Sequence, residues 1–101
     1  MDFARTAVIG AGTMGCGIAQ VLITSGLEVA LYDADPTALQ RGVARIAQRL
    51  RRQQEKGELS ATACAQALQR LRPAGAWAEL RAVDLAIEAV PEKMALKREV
   101  F

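Results

Sequence analysis

The sequence contains no histidine. That removes the Ser-His and Cys-His nucleophile pairs and the usual general base of neutral pH. Aromatic residues are scarce, and the only tyrosine, Tyr32, has no lysine four residues on, so a tyrosine-lysine reductase pair is missing too. The two cysteines, Cys16 and Cys64, lie far apart without metal-ligand spacing, which points to no metal site and to a reducing cytoplasm. No apolar run approaches the roughly 18 residues that a membrane span requires. The first residues, Met1-Asp2-Phe3-Ala4-Arg5, lack the basic end and apolar core of a secretory signal. Neither sign of charge dominates: 13 basic against 11 acidic residues give a net charge of +2, which excludes a general nucleic-acid binder. At 101 residues the chain is one small domain or part of a larger one.

What is present is an alternation of strand and helix patterns. Residues 5–10, RTAVIG, form a short apolar run ending in glycine, as in a buried parallel strand. A glycine-rich turn follows, then Met14, Ile18, Val21 and Leu22 at helical spacing as far as Ser25-Gly26. Residues 28–33, EVALYD, read as a second strand, and Asp35-Pro36 as the start of a helix. That helix carries Leu39, Val43, Ile46 and Leu50 on one stripe and breaks at Lys56-Gly57; Ser60 caps another, with Cys64, Leu68 and Leu71 on one face. The second strand therefore leads into a helical hairpin over about residues 36–72. A weak third strand is expected around Leu71 to Ala74, one helical turn over Trp77 to Leu80, and a fourth strand over 84–90, DLAIEAV. Pro91 ends that strand, and Glu92 is expected to open a last helix with Leu96, Val100 and Phe101 on one side. It runs to the end without a glycine, proline or cap, so the chain is expected to be an incomplete piece of a longer protein. The fold class is α/β with a parallel sheet.

The turn reads Gly10-Ala11-Gly12-Thr13-Met14-Gly15, a GxGxxG. In such a turn the first glycine permits the tight exit from the strand. The second lets backbone approach a pyrophosphate, and the third lets helix and sheet pack closely. A bare GxGxxG is weak evidence, and its context carries the reading: a strand precedes it, a helix follows, and Asp33 ends the next strand. Asp33 is placed to accept from the adenosine ribose hydroxyls and to repel a 2′-phosphate. No arginine directly follows it, so NAD is favoured over NADP.

These residues resemble the N-terminal NAD-binding domain of the 3-hydroxyacyl-CoA dehydrogenases, a Rossmann-like parallel sheet. VIGAGTMGCGIAQ (8–20) is similar to that family's opening, LYD (31–33) to its ribose-binding strand end, and KGELS (56–60) to part of its helical insertion. DLAIEAVPEKMALKREVF (84–101) is similar to its fourth strand and next helix, and is the most specific block. The likeness is strongest to the bacterial stand-alone 3-hydroxybutyryl-CoA and 3-hydroxyadipyl-CoA types. It implies oxidation of (S)-3-hydroxyacyl-CoA to 3-ketoacyl-CoA with NAD, in fatty-acid or aromatic-acid degradation. Carried over residue by residue, cofactor contacts fall on Gly10, Ala11, Gly12, Thr13, Met14, Gly15, Asp33, Glu92 and Lys97, and a CoA contact on Lys56. Arg49 stands where relatives can supply a serine. The catalytic histidine and its glutamate partner, and a helical domain that forms a homodimer, are expected beyond Phe101, so residues 1–101 make an incomplete domain without a catalytic residue.

Several residues carry two readings. Glu92 is a cofactor contact or a first-turn acid, and Glu88 a carboxylate near the ligand edge of the sheet or a locally paired residue. Arg41, Arg45, Arg49, Arg52 and Lys56 form a basic stripe that is either a solvated face or an attractor of CoA phosphates. Cys16 and Met14 are expected to pack beside the turn. Two other functions fit the motifs: another β-hydroxyacid dehydrogenase, or a non-enzymatic dinucleotide-binding relative.

Overall fold

The computed structural model describes residues 5–75 and 83–89, and the backbone of 90 and 93–98. In chain order these are β1 (Arg5–Ile9), α1 (Thr13–Thr24), β2 (Glu28–Tyr32), α2 (Pro36–Glu55), α3 (Ala61–Gln69), β3 (Leu71–Pro73), β4 (Leu85–Val90) and β5 (Lys93–Arg98). The sheet order is β3-β2-β1-β4-β5. The first four strands are parallel, with Ala7 level with Ala30 on one side and Ala86 on the other.

Alternation along the strands divides the core. Val8, Val29 and Leu31 join Cys16, Ala19 and Ile23 of α1, Leu39, Ile46 and Leu50 of α2, and Cys64 and Ala67 of α3. Ala7, Ala30 and Ala86 belong to a second cluster with Ala74. All three helices thus pack on one face of the sheet. Gly42 lets α2 approach α1 closely, since a Cβ there would lie 3.0 Å from Ala11 and from the Cys16 sulfur.

Local chemistry sets the helix ends. Asp35 accepts from the Thr37 N–H at 3.0 Å and Ser60 from the Ala63 N–H at 3.0 Å. Gly26 (φ 99°) and Gly57 (φ 77°) close α1 and α2 with left-handed turns. Leu27 N–H then returns to the Leu22 carbonyl, and Glu58 N–H to that of Gln53. Asp35→Ala is expected to cost about 1 kcal/mol, read as a lower urea midpoint, with Asp35→Ser close to the unmodified chain. An unchanged midpoint for the alanine variant would show that the cap contributes nothing.

The third strand lies at Leu71–Pro73, within the expected range. The last helix does not form: Lys93–Arg98 is β5, antiparallel to β4, with Val90 opposite Lys93 and Leu85 opposite Arg98. The KMALKR segment supports both patterns, because Met94 and Leu96 also alternate with period two. Pairing supplies partners for the backbone groups along the open side of β4, and this tertiary gain overrides the helical spacing. The turn expected over Trp77 to Leu80, together with Glu92, Val100 and Phe101, lies outside the described residues.

Candidate dinucleotide site

The turn between β1 and α1 lies at the C-terminal ends of the parallel strands, where open α/β sheets bind ligands. Gly10 has φ 109°, a region that side-chain-bearing residues rarely adopt, and its N–H donates to the Tyr32 carbonyl at 2.7 Å. A Cβ at Gly10 would collide with the Ala89 carbonyl oxygen, and one at Gly15 with the carbonyl oxygen of Gly10. These two glycines therefore pack the turn against β4 and the helix against the turn. Gly12 differs: a Cβ there would meet nothing within 4 Å. The open space above it faces whatever the turn binds.

The start of α1 is also left free. Its N-cap, Gly12, makes no side-chain capping bond, and no acid stands in the first turn. Both α2 and α3 are capped by side chains. Backbone N–H groups at an uncapped helix start, together with the positive end of the helix dipole, suit a phosphate. Gly12, Thr13 and Met14 are exposed there, whereas Ala11 and Gly15 are buried. Met14 is 52% exposed and so does not pack beside the turn as expected, because it stands on the outer side of α1.

Asp33 follows β2 and ties the site together. Its Oδ2 accepts from the Ala11 N–H at 2.8 Å, and its Oδ1 from the Asp35 N–H at 2.8 Å. Each carboxylate oxygen has two acceptor positions, so both retain capacity for a ribose hydroxyl. The cradle at Gly12, the uncapped helix and the half-buried carboxylate together fit a dinucleotide.

Cys16 is fully buried beneath the turn, and its thiol donates to the Ala11 carbonyl at 3.3 Å. Burial pushes that thiol above its ordinary range and Asp33 adds to the rise, while Arg45 and Arg49 partly offset both. Cys16 is thus a packing residue, as expected, and Cys64 is buried as well. Among the described residues no group of histidine, cysteine and carboxylate side chains could hold a metal ion. None of the described helices is long and apolar enough to cross a membrane.

The other expected contacts are less uniform. Lys97 lies opposite Ala86, toward the start of β4, whereas the glycine turn faces the other end of that strand near Ala89. The backbone register thus pairs Lys97 with Ala86 in the antiparallel β5. Glu88 lies level with Ile9 near the ligand edge. Lys56 caps α2 at the far end of the hairpin, in a recess shared with Gln20, Arg49, Arg52, Gln53 and Glu58. Gln20 carried no signal in the sequence, because only the crossing of α1 and α2 brings it to that recess.

Strand order, glycine turn and terminal aspartate define a dinucleotide-binding α/β domain of the Rossmann type. The family pattern described as "3-hydroxyacyl-CoA dehydrogenase, NAD binding domain" matches residues 5–101. The chain belongs to this family, and its cofactor is NAD. It is 43% identical over 95 residues to the 3-hydroxyadipyl-CoA dehydrogenase of Escherichia coli, covering 94% of this chain and 20% of that protein. Over 101 residues it is 37% identical to a probable 3-hydroxybutyryl-CoA dehydrogenase of Bacillus subtilis, covering all of this chain and 35% of the relative. The crystal structure of 3-hydroxybutyryl-CoA dehydrogenase from E. coli superposes with a TM-score of 0.87 at 42% identity, over 92% of this chain and 20% of that one. The (S)-3-hydroxybutyryl-CoA dehydrogenase of Ralstonia eutropha gives 0.85 at 38% identity, over 91% of this chain and 32% of that one. The chain thus spans between a fifth and about a third of these relatives.

Proposed function

We propose that these residues are the N-terminal part of the NAD-binding domain of an NAD-dependent 3-hydroxyacyl-CoA dehydrogenase that oxidises (S)-3-hydroxyacyl-CoA to the 3-ketoacyl-CoA. The observation that carries it is the uncapped start of α1 beneath an open Gly12, with Asp33 bonded to the same turn. Backbone N–H groups of residues 12–14 hold the pyrophosphate, Gly10 and Gly15 keep the turn close to the sheet, and Asp33 receives the adenosine ribose. NAD held by these residues would supply the acceptor for the hydride that leaves C3 of the substrate. Glu92 and Lys97 are proposed as further cofactor contacts on the family likeness.

The hydroxyl proton must pass to a base, and no histidine is present in these 101 residues. That base therefore belongs to the rest of the protein, as does the surface for a homodimer. The compartment proposed is the cytoplasm. Acyl-CoA is the substrate class named by the relatives, and Lys56 is proposed to meet its CoA portion.

The test compares the parent protein with a purified 1–101 chain. The parent is expected to reduce NAD with 3-hydroxybutyryl-CoA, and the chain to bind NAD without turnover. A parent inactive on several 3-hydroxyacyl-CoA chain lengths sinks the assignment. Turnover by the 1–101 chain would place the base within it.

A further inference from the structure

We infer that Gly42 and Cys16 are positioning residues for Asp33: acting through Ala11, they let the long helix α2 hold that carboxylate at the angle an adenosine ribose needs. This rests on the reading of Asp33 as the ribose acceptor and extends it to two residues buried beneath the turn.

Ala11 is the joint. Its N–H donates to Asp33 Oδ2 at 2.8 Å. Its carbonyl accepts from the Cys16 thiol at 3.3 Å, and both residues are buried. Gly42 closes the third side, since a Cβ there would lie 3.0 Å from the Ala11 Cβ, the Ala11 carbonyl oxygen and the Cys16 sulfur alike. Asp33 is tied to the same helix a second time: its Oδ1 accepts from the N–H of Asp35, the N-cap of α2. Gly42 lies seven residues on from that cap, about 10 Å along the helix. Helix, turn and carboxylate thus form a closed ring of contacts. A shift of α2 at Gly42 must be taken up at Ala11 or at Asp33.

Helix stability does not explain the glycine. Inside a helix of 20 residues glycine is less favourable than alanine. The missing Cβ instead brings α2 against the nucleotide turn itself as well as against α1. A small shift there bears on one cofactor more than the other. A hydrogen bond weakens steeply as its distance and angle leave their optimum, whereas repulsion between charges falls only as the inverse of distance. A carboxylate displaced by a few tenths of an ångström, the room a Cβ at Gly42 demands, loses its grip on a ribose hydroxyl while still repelling a 2′-phosphate.

The experiment measures dissociation constants for NAD and NADP in the parent protein and its variants, with thermal melts to show that each is folded. Gly42→Ala is expected to weaken NAD roughly three- to tenfold, part of what a hydrogen bond to a charged acceptor is worth, and NADP hardly at all. Cys16→Ala should move the ratio in the same direction by a smaller factor, because a thiol is a weak donor. Cys16→Ser should recover that loss, since both substitutions give up the bulk of the sulfur and only serine restores a donor for the Ala11 carbonyl. A merely structural role would weaken both cofactors alike. Equal weakening of NAD and NADP in a folded Gly42→Ala protein, an unchanged ratio there, or no recovery with Cys16→Ser overturns the positioning role. If Gly42→Ala does not fold, the two Cys16 variants decide alone.

Should the unmodified protein fail to prefer NAD, the ribose reading of Asp33 is lost, and the ring is judged by hydrogen exchange at the Ala11 amide. Faster exchange there in Gly42→Ala or Cys16→Ala, relative to the Gly10 amide that donates to Tyr32, sustains the hold of α2 on the Asp33 bond. Unchanged exchange ends it.

Discussion

Asp33→Ala is expected to abolish most of the discrimination between NAD and NADP in the parent protein. A carboxylate at this position excludes a 2′-phosphate by repulsion and rewards a free ribose by accepting its hydroxyls. Hydrogen bonds to a charged acceptor are worth about 1.5–3 kcal/mol each. Losing one of them should weaken NAD by roughly tenfold to a hundredfold, using about 1.4 kcal/mol per tenfold change in binding. NADP should weaken far less, or gain, because the repulsion disappears with the charge. The structure adds a second consequence. Asp33 also accepts from the Ala11 and Asp35 N–H groups, at 2.8 Å each, so alanine leaves both turns without their acceptor. Asp33→Asn separates the two effects, since its one carbonyl oxygen keeps a single acceptor while the charge is gone. Dissociation constants for both cofactors across the three proteins provide the check. Equal use of NAD and NADP by the unmodified protein, or an unchanged ratio in Asp33→Ala, would show that Asp33 does not read the ribose.

Gly12→Val and Gly15→Ala are expected to fail in opposite ways. At Gly15 a Cβ would fall on the Gly10 carbonyl oxygen, within backbone that is itself pinned by the Tyr32 bond and by Ala89. Nothing there is a flexible side-chain end, so helix and turn must separate, at a cost of about 1–3 kcal/mol or more. At Gly12 the backbone is extended, with φ −77°, and nothing lies within 4 Å of the Cβ position. Valine should therefore leave stability within about 0.5 kcal/mol, the usual range for a surface change. It would occupy the space where a pyrophosphate approaches. Loss of even one charge-assisted phosphate bond costs about tenfold or more in affinity. Thermal melts paired with NAD titration distinguish the two variants. Undiminished NAD binding by a folded Gly12→Val protein would remove the pyrophosphate from the turn.

Much of this site is legible in the residues because its chemistry is local. A glycine-rich exit from an apolar run, a helix start without a cap, and an acid at the end of the next run all lie within one strand-helix-strand unit. Asp35, Ser60, Gly26 and Gly57 mark helix ends through contacts only a few residues long, and the helical hairpin follows from them.

The remaining features depend on what each segment meets. KMALKR carries helical and alternating patterns at once, and the open side of β4 decides between them in favour of β5. That choice pairs Lys97 with Ala86, which no spacing along the sequence foretells. Met14 has the periodicity of a core residue, yet it is exposed in the fold. The basic stripe reads as one feature along α2, and the helix crossing sets its Arg49, Arg52 and Lys56 beside Gln20 in one recess. The sequence by itself determined the nucleotide turn, its acid and the helix boundaries, because backbone torsions and short-range hydrogen bonds act between near neighbours. Only the tertiary structure decided the edge strand and the recess beside Gln20, because strand pairing and helix crossing join residues that the chain holds far apart.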